Sequence, residues 1–235
     1  MQYRHELKHE INYSDLIAIR QRLRAAASPD PHAKDGKYEI RSLYFDTFSD
    51  RALREKIDGV NIREKFRIRF YDGDLSYICL EKKSKRDGLG NKRQARITAE
   101  EAAAAAAGIL PGPLCERSGE HPADRSEDEF ALLTELYVKM QTEGLRAKTI
   151  VDYTREPYIF APGNVRVTFD YHIRTGIRCT DFLNPDCPMI PVRGDPIILE
   201  VKWDEYLPLI IRDAVLEPGR HAAAYSKYQA CRAYG

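Results

Sequence analysis

Apolar and charged residues alternate along the segment KFRIRFYDGDLSYICLEKKSK, which covers residues 65–85. A period of two places successive side chains on opposite faces of a β-strand, so the alternation predicts strands with one apolar and one charged face. The sequence Asp72-Gly73-Asp74 interrupts the alternation and is typical of a hairpin turn. The pattern therefore predicts two antiparallel strands, 61–71 and 75–85, that collect many long cations on a single face.

Three other segments show the same alternation, at residues 1–11, 165–173 and 197–203. In an antiparallel sheet one face commonly meets water, which is the ordinary explanation for any one of these strands taken alone. The charged faces, however, contain Arg, Lys and Glu with almost no Ser, Asn or Gln. This composition on four separate strand regions favours a shared function for the charged faces. Further strands are predicted at residues 38–46, 92–98 and 147–153.

Helical periodicity predicts several helices between and after these strands. The first helix begins at Ser14-Asp15, and later helices cover residues 46–59, 98–108 and 129–141. A last helix is predicted within either 206–216 or 222–234. Ser14 is the predicted N-cap of the first helix, and Thr98 with Glu101 forms the capping-box pattern of a later one. The segment 111–128 is rich in Pro, Gly and charged residues and predicts a loop. No shift in composition marks a boundary, so the chain is expected to form a single domain, 1–235.

Composition limits the class of protein and its compartment. Hydrophobic residues make up 43% of the 235 positions, enough for a core, and the formal net charge is +1. A near-neutral chain without a basic stripe disfavours nucleic-acid binding, so any anion site must come from local segregation of charge. The five cysteines lack CxxC spacing, which argues against a zinc site or a disulfide framework. The N-terminus is charged and no apolar run approaches the roughly 20 residues that span a bilayer, so a soluble, cytoplasmic protein is expected.

The charged faces have a local excess of positive charge, because nine cations share them with five acids. The cations are Arg4, Lys8, Lys65, Arg67, Arg69, Lys83, Lys85, Arg166 and Lys202, and the acids are Glu6, Glu10, Glu81, Asp170 and Glu200. Packed cations repel one another unless an anion joins them. A closed antiparallel β-barrel, with the charged faces lining a polar lumen and helices packed outside, would unite these strands. The expected fold is therefore α+β, with a tunnel that suits a polyphosphate or a nucleoside triphosphate.

Eight short motifs follow one another along the chain. They are YRHELKHEI (3–11), RSLYFDT (41–47), FRIRFY (66–71), LEKK (80–83), DYTREPY (152–158), VRVTFD (165–170), ILEVK (198–202) and YSKY (225–228). In this order and spacing the chain resembles the VTC-type polyphosphate polymerase domain, a member of the triphosphate tunnel metalloenzyme (CYTH-like) superfamily. Each motif alone is weak, but the set is specific, and the resemblance covers nearly the whole chain.

The resemblance implies a set of phosphate-binding, catalytic cations. They are Lys8, Arg54, Arg67, Arg69, Lys83, Arg155, Arg166, Lys202 and Lys227, of which Arg67, Arg69, Lys83 and Arg166 are also assigned to cofactor binding. Arg51 is a competing choice for the position of Arg54. The KRQAR run, 92–96, is expected to supply one more cation that the sequence does not single out. A helix-end cation is the structural alternative for Lys227.

The resemblance also implies a metal site, with Glu200 and Glu6 holding a catalytic Mn²⁺ or Mg²⁺. Tunnel triphosphatases carry an ExExK signature on their first strand, and here the equivalent positions are Arg4, Glu6 and Lys8. The replacement of one glutamate by arginine lowers the capacity of this strand to hold metal. This departure favours a phosphate-binding polymerase over a hydrolase that uses a metal-activated water. A simple ion pair of Glu200 with Lys202 or Lys8 is the alternative for that acid.

The implied reaction is transfer of the γ-phosphoryl group of ATP to a growing polyphosphate chain, with release of ADP. Such a transfer depends on positioning and charge neutralisation rather than on a covalent nucleophile. Two alternatives share the fold and the cations: a tunnel triphosphatase that hydrolyses triphosphate or nucleoside triphosphates, and a non-catalytic binder of polyphosphate or nucleotides. The expected partners are ATP and inorganic polyphosphate or triphosphate, and no nucleic acid. A membrane-associated partner that feeds or drains the tunnel is left open.

Overall fold

The structure is a computed structural model that describes residues 4–86, 89–110, 112, 125–216 and 225–233. Its strands are β1 (His5–Ile11), β2 (Ser28–Pro29), β3 (Tyr38–Asp46), β4 (Arg63–Tyr71), β5 (Asp74–Arg86), β6 (Leu89–Ile97), β7 (Arg146–Phe160), β8 (Val165–Thr175), β9 (Ile190–Pro191) and β10 (Ile197–Trp203). Its helices are α1 (Tyr13–Ala26), α2 (Arg51–Ile57), α3 (Ala99–Ala107), α4 (Glu127–Thr142), α5 (Leu209–Val215) and α6 (Lys227–Cys231). Most of the predicted loop 111–128 lies outside the described residues. Among the described helices, none combines the length and the apolar composition that crossing a membrane requires.

The chain divides into two compact units, each made of separate stretches of sequence. The first unit contains the described residues of Met1–Ile40, Asp152–Arg174 and Pro191–Ala230. The second contains those of Arg41–Val151, Thr175–Ile190 and Cys231–Gly235. Strands β3 and β7 have residues in both units, β8 lies in the first unit except for Thr175, and each of the other long strands belongs to one unit. The charged faces of the two units can therefore be described separately.

The sheet of the first unit is apolar on one face. Its strands hydrogen-bond in the order β1-β10-β8-β7. Val167, Phe169 and Val201 are buried and belong to one cluster with Ile19 of α1 and Ile211 of α5. Removing these side chains from water is the main force that fixes the two helices on the sheet. The alternate residues along the same strands point to the opposite face, as the period of two requires.

The sheet of the second unit follows the same logic with different helices. Its strands hydrogen-bond in the order β3-β4-β5-β6. Phe66, Ile68 and Leu80 are buried in one cluster with Ala102 of α3 and Leu132 of α4. The small alanine side chains allow α3 to pack in this cluster, which accounts for the alanine-rich sequence on its buried side. The apolar face predicted for the hairpin is therefore the buried face.

The hairpin turn and the start of α1 show how local sequence determines local structure. Asp72 and Gly73 have φ values of 51° and 70°, and the two-residue hairpin turn requires positive φ at both positions. The predicted N-cap Ser14 is wrong, because α1 begins at Tyr13, two residues earlier than a Ser14 cap would place it, and is capped by Asn12. The Asn12 side chain accepts a hydrogen bond from the Asp15 amide at 2.8 Å, and Asp15 accepts one from the Asn12 amide at 3.1 Å. This reciprocal pair outcompetes a serine cap because it satisfies two amides at once.

The ends of the later helices agree with the predictions. Thr98 and Glu101 form the capping box at the start of α3, and Gly108 ends that helix with a φ of 77°. Ser126 and Glu129 form a second capping box at the start of α4. Both segments that competed for the last helix contain one, α5 and α6. The α+β class predicted from the sequence is therefore confirmed.

The closed barrel predicted from the sequence is wrong for the described residues. The strands follow the order β1-β10-β8-β7-β3-β4-β5-β6, with β2 beside β7 and β9 beside β8. Within this described set, β1 and β6 each have one neighbour, so the sheet is open. Alternation of faces is the same in an open sheet and in a barrel, whereas closure depends on strand tilt and register, which alternation does not encode.

Candidate functional site

The charged face of the first unit is formed by β1, β10 and β8. Strand register places its side chains in two adjacent rows, Lys8–Glu200–Thr168 and Glu6–Lys202–Arg166. Directly opposite residues on one face lie close enough to interact, and opposite charges attract there. Acids and cations thus alternate along β1 and β10 and lie opposite one another between these two strands, while Arg166 of β8 lies opposite another cation, Lys202.

Glu200 lies at the centre of an ion-pair cluster. Its Oε1 is 3.2 Å from Lys8 Nζ, and its Oε2 is 3.0 Å from Lys202 Nζ and 3.7 Å from the Arg155 guanidinium. Glu6 Oε1 is 3.0 Å from Lys8 Nζ and 3.6 Å from Lys202 Nζ. Burial opposes the charge of Glu200, but the neighbouring cations Lys202, Lys8 and Arg155 outweigh burial and hold its pKa well below the usual range. Glu200 therefore forms both ion pairs that the sequence offered as the alternative to metal binding.

A second buried acid, Asp170, anchors two of the predicted cations. Arg155 donates to it from Nε at 2.6 Å and from Nη2 at 2.7 Å, and Lys227 Nζ is 2.5 Å from its Oδ2. Burial alone would raise the pKa of Asp170, but Arg155 and Lys227 lower it to about 2. Lys227 Nζ also lies 4.5 Å from the centre of the Tyr153 ring. Lys227 is thus part of the buried charge cluster and not only a cation at a helix end.

Arg166 lies at the margin of this face. Its Nη2 donates to Asp30 Oδ2 at 2.9 Å and to the Tyr38 hydroxyl at 2.6 Å. Its side chain is 37% exposed, whereas Asp30 is buried. The Nε atom of Arg166 is buried and has no hydrogen-bond partner among the described residues. The Nη2 group of this guanidinium is thus held by the protein, while Nε remains a donor for a further group.

The charged face of the second unit contains a buried arginine–glutamate pair. Arg67 Nε donates to Glu81 Oε2 at 2.6 Å, and Arg67 Nη1 donates to the Tyr44 hydroxyl at 3.0 Å. The other Glu81 oxygen is 2.7 Å from Lys92 Nζ. Burial raises the pKa of Glu81, but Arg67, Arg69 and Lys92 together lower it far below the usual range. Lys92 is therefore the member of the KRQAR run that joins this face.

Like charges stand opposite one another on the same face. Register places Lys83 of β5 between Lys65 of β4 and Lys92 of β6. Like charges directly opposite on neighbouring strands are destabilising. Arg69, two residues after Arg67, is also buried, and its Nε donates to Ser42 Oγ at 3.1 Å. Glu81 is shared by Arg67 and Lys92, and Lys65 and Lys83 add further positive charge to the same face.

Tyr44 responds to these cations. Its hydroxyl is buried, which alone would raise its pKa, but Arg67, Lys65 and Arg69 lower the pKa of Tyr44 from 10.0 to about 7. Lys65 Nζ and the Arg67 guanidinium lie 5.7 Å and 5.8 Å from the centre of its ring. Tyr44 is therefore part of the cationic cluster, a role that its position in a strand alone does not indicate.

Arg54 lies on α2, and its side chain is exposed. The competing residue, Arg51, is also on α2 and is 3.6 Å from Glu55. Arg51 further pairs with Glu143 of α4, so its guanidinium is committed to the protein itself. Both side chains are exposed, and the two candidates differ in that the Arg51 guanidinium pairs with the carboxylates of Glu55 and Glu143.

The positions of the acids in the first unit determine how a divalent cation could be held there. Glu6 and Glu200 share the ammonium groups of Lys8 and Lys202, so the two carboxylates converge on a common region. No group of three or more His, Cys, Asp or Glu side chains suited to a metal occurs among the described residues. Mg²⁺ is commonly held by one or two carboxylates together with substrate phosphates and water. The pair fits this second type of site, in which the substrate supplies the remaining ligands.

Two features could not be found from the sequence. Asp170 and Glu81 were counted as acids on charged faces, but their role as buried anchors depends on which cation the fold brings to each. The second feature is Thr168, whose place in the VRVTFD motif indicates only that it shares the charged face of its strand. Its signal is structural, because its hydroxyl is buried beside Glu200 without a hydrogen-bond partner in the described part of the chain.

Comparisons with known proteins give a consistent picture. The family model of the VTC domain matches residues 3–234. A comparison with curated proteins gives no match. Among solved structures, a candidate adenylyl cyclase from Hippeastrum, described with a dominant triphosphatase activity, is 14% identical with a TM-score of 0.55, covering 99% of this chain and 95% of that chain. A candidate adenylate cyclase from Bacillus halodurans is 13% identical with a TM-score of 0.50, covering 86% of this chain and 80% of that chain. At these identities the likeness to both structures is one of fold.

Proposed function

Because the chain belongs to the VTC domain family, we propose that it is a polyphosphate polymerase. The reaction is attack by a terminal oxygen of inorganic polyphosphate on the γ-phosphorus of ATP. The bond from that phosphorus to the β,γ-bridging oxygen breaks, ADP leaves, and the polyphosphate is one phosphate longer. The observation that carries the proposal is the pair of cation-rich strand faces, with Lys65, Lys83 and Lys92 in one row of the second unit.

The cations supply what this reaction demands. Two anions must approach each other, so charge neutralisation and positioning account for most of the catalysis of phosphoryl transfer. Arg67, Arg69 and Arg155 are held in place by partners, so they are oriented before a substrate arrives. Guanidinium groups bind phosphate oxygens in pairs, and lysine ammonium groups act as point charges. Arg54, Lys83, Arg166 and Lys227 are proposed to contact phosphates in the same way.

Glu200 and Glu6 are the residues proposed to hold a divalent cation. When bound, Mn²⁺ or Mg²⁺ would neutralise charge on the phosphates of the donor and the acceptor. Lys8 and Lys202 already contact both carboxylates, so they are proposed to transfer their contacts to phosphate oxygens when substrate enters. Arg4, at the position of the missing glutamate, instead lies 2.8 Å from Asp204. The smaller acidic set supports a polymerase rather than a hydrolase.

The proposed compartment is the cytoplasm. ATP is available there, and Cys79, Cys179 and Cys187 are not in disulfide bonds, which suits a reducing environment.

The test is incubation of the full chain with ATP and either Mn²⁺ or Mg²⁺, followed by gel analysis of long polyphosphate and measurement of ADP and orthophosphate. Polymer together with ADP supports the polymerase. Orthophosphate without polymer would instead establish the triphosphatase alternative, which the fold shared with the Hippeastrum protein favours. Tight binding of triphosphate without turnover would establish the non-catalytic binder.

A further inference from the structure

Thr168 occupies the middle of the charged face of the first unit. It is 2% exposed and lies on β8, directly opposite Glu200 of β10. Arg166 and Asp170 are two residues away on either side, so their side chains share its face. Thr168 is therefore a small neutral residue surrounded by charged ones.

The Thr168 hydroxyl has no hydrogen-bond partner among the described residues. Other buried threonines show that this is not the general pattern of the fold. The Thr154 hydroxyl donates to Glu39 at 2.7 Å, and the hydroxyls of Thr149 and Thr175 lie 3.2 Å apart. A buried hydroxyl without a partner opposes folding, and valine would give the same shape and strand preference without that cost. The position of Thr168 thus calls for a partner that the protein itself does not supply.

The neighbouring carboxylate does not take this role. The Glu200 oxygens contact Lys8, Lys202 and Arg155. On the other side, the buried Nε of Arg166 also lacks a partner in the described part of the chain. Two unsatisfied donors on consecutive positions of one strand face, beside several cations, form a surface that matches an anion with several oxygens.

We propose that the Thr168 hydroxyl donates a hydrogen bond to an oxygen of the phosphate bound between Lys8, Lys202 and Arg166. This inference rests on the proposed function and adds a neutral donor to its cations. The hydroxyl directs one oxygen of the phosphate, which a lysine charge alone cannot do because its field has no preferred orientation. Thr168 is thus a substrate-binding residue that gives up folding stability in exchange for recognition.

The experiment compares Thr168→Val and Thr168→Ser in the full chain. Triphosphate affinity is measured by calorimetry in a chelator, so that no divalent metal contributes. Thr168→Val is expected to weaken binding about tenfold to hundredfold, and Thr168→Ser to stay within about threefold of wild type, because serine keeps the donor. The ligand-free Thr168→Val protein is expected to melt about 2 °C or more above wild type, because an unpaired buried hydroxyl is removed.

Thr154→Val is the matched control, because it removes a buried hydroxyl that has a partner. It is expected to lower the melting temperature and to leave triphosphate affinity unchanged. Wild-type affinity in Thr168→Val, or a lower melting temperature in that variant, overturns the inference. Lys8→Ala separates this failure from failure of the proposed function. If Lys8→Ala weakens triphosphate binding and Thr168→Val does not, only the proposed role of Thr168 is contradicted. If binding is unchanged in both variants, the proposed phosphate site itself is contradicted.

Discussion

The two charged faces of this protein differ in how their acids and cations are balanced. In the first unit the acids meet cations across and along the strands, as Glu200 meets Lys8 of β1 and Lys202 of its own strand. In the second unit Lys83 stands between two other lysines, and the nearest buried acid, Glu81, is shared by Arg67 and Lys92. The first face is close to balanced, and the second has an excess of positive charge.

The difference assigns different tasks to the two faces. A face with converging carboxylates can hold a divalent cation together with a phosphate, since both signs of charge are present. A face with excess positive charge binds an anion without a metal, and it is more stable when the anion is bound because repulsion between neighbours is relieved. Loss of turnover is therefore expected when the carboxylates of the first face are altered, whereas changes to the second face are expected to act on affinity.

The largest effect is expected from Glu200→Gln. This change keeps the size of the side chain but removes the charge that meets three cations and, in the proposal, a metal. Turnover of ATP is expected to fall by roughly a hundredfold or more, the usual loss for a positioned electrostatic group. Calorimetric affinity for triphosphate without metal is expected to be retained.

Glu135→Gln is the matched control, since Glu135 also contacts two cations, Lys82 and Arg93, but on the other face of the hairpin. It should turn over ATP like wild type. Normal turnover in Glu200→Gln would contradict the assignment of chemistry to the first face.

Asp170→Asn is expected to have the largest effect on stability. Arg155 and Lys227 would lose a shared charged partner, and breaking a buried ion pair costs about 3–5 kcal/mol. The pKa of Asp170 is lowered from 3.8 to about 2, so its stabilising effect is fully present above the unfolded value and is lost as the pH falls through the folded value. Urea denaturation of wild type and variant should therefore show a difference that shrinks between pH 4 and pH 2. A difference that is constant over this range would show that the charge of Asp170 is not its source.

Much of the fold could be predicted because its signals are local. The alternation from Lys65 to Lys85 specifies which face is buried, and Asp72-Gly73 specifies the turn between the two strands. The N-cap of α1 was misplaced by two residues because Asn12 and Ser14 are both good caps, and only Asn12 has Asp15 in position to reciprocate. Closure of the sheet could not be predicted, since it depends on register between distant strands.

The candidate site was predictable as a set of cations but not as a set of contacts. The alternation placed Arg67 and Glu81 on charged faces, but their pairing across the hairpin depends on register. The partners of Arg155 were hidden for the same reason, because Asp170 and Glu200 lie on other strands. Choosing Lys92 from the KRQAR run needed its contact with Glu81, because Arg96 of the same run lies on the same side of the sheet.

Lys83→Gln tests the second face with a smaller effect. Removing one of three adjacent lysines is expected to weaken triphosphate binding about tenfold. Lys82→Gln is the control on the next residue, where the side chain points to the other face and contacts Glu64 and Glu135. It is expected to lower stability and to leave affinity unchanged. The same affinity loss in both variants would indicate a general effect of charge instead of a specific face.

The smallest change, Tyr44→Phe, tests the electrostatic potential at the charged face of the second unit. Although burial alone would raise the pKa of Tyr44, Arg67, Lys65 and Arg69 lower it from 10.0 to about 7. Ultraviolet absorbance of the folded wild type should show one tyrosine losing its proton with a midpoint near pH 7, and the variant should lack this step. Between pH 7 and pH 10 the unfolded chain binds more protons at this site, so wild-type stability should rise with pH relative to the variant.

Triphosphate bound at these cations adds negative charge near the phenol, which disfavours the phenolate and should move the midpoint to higher pH. The affinity of Tyr44→Phe itself should stay within about threefold of wild type, because the hydroxyl contacts Arg67 and not the anion. If saturating triphosphate left the midpoint unchanged, the anion would have to bind away from Arg67 and Lys65. The excess charge of the second face would then need another explanation, and the division of tasks between the two faces would fail.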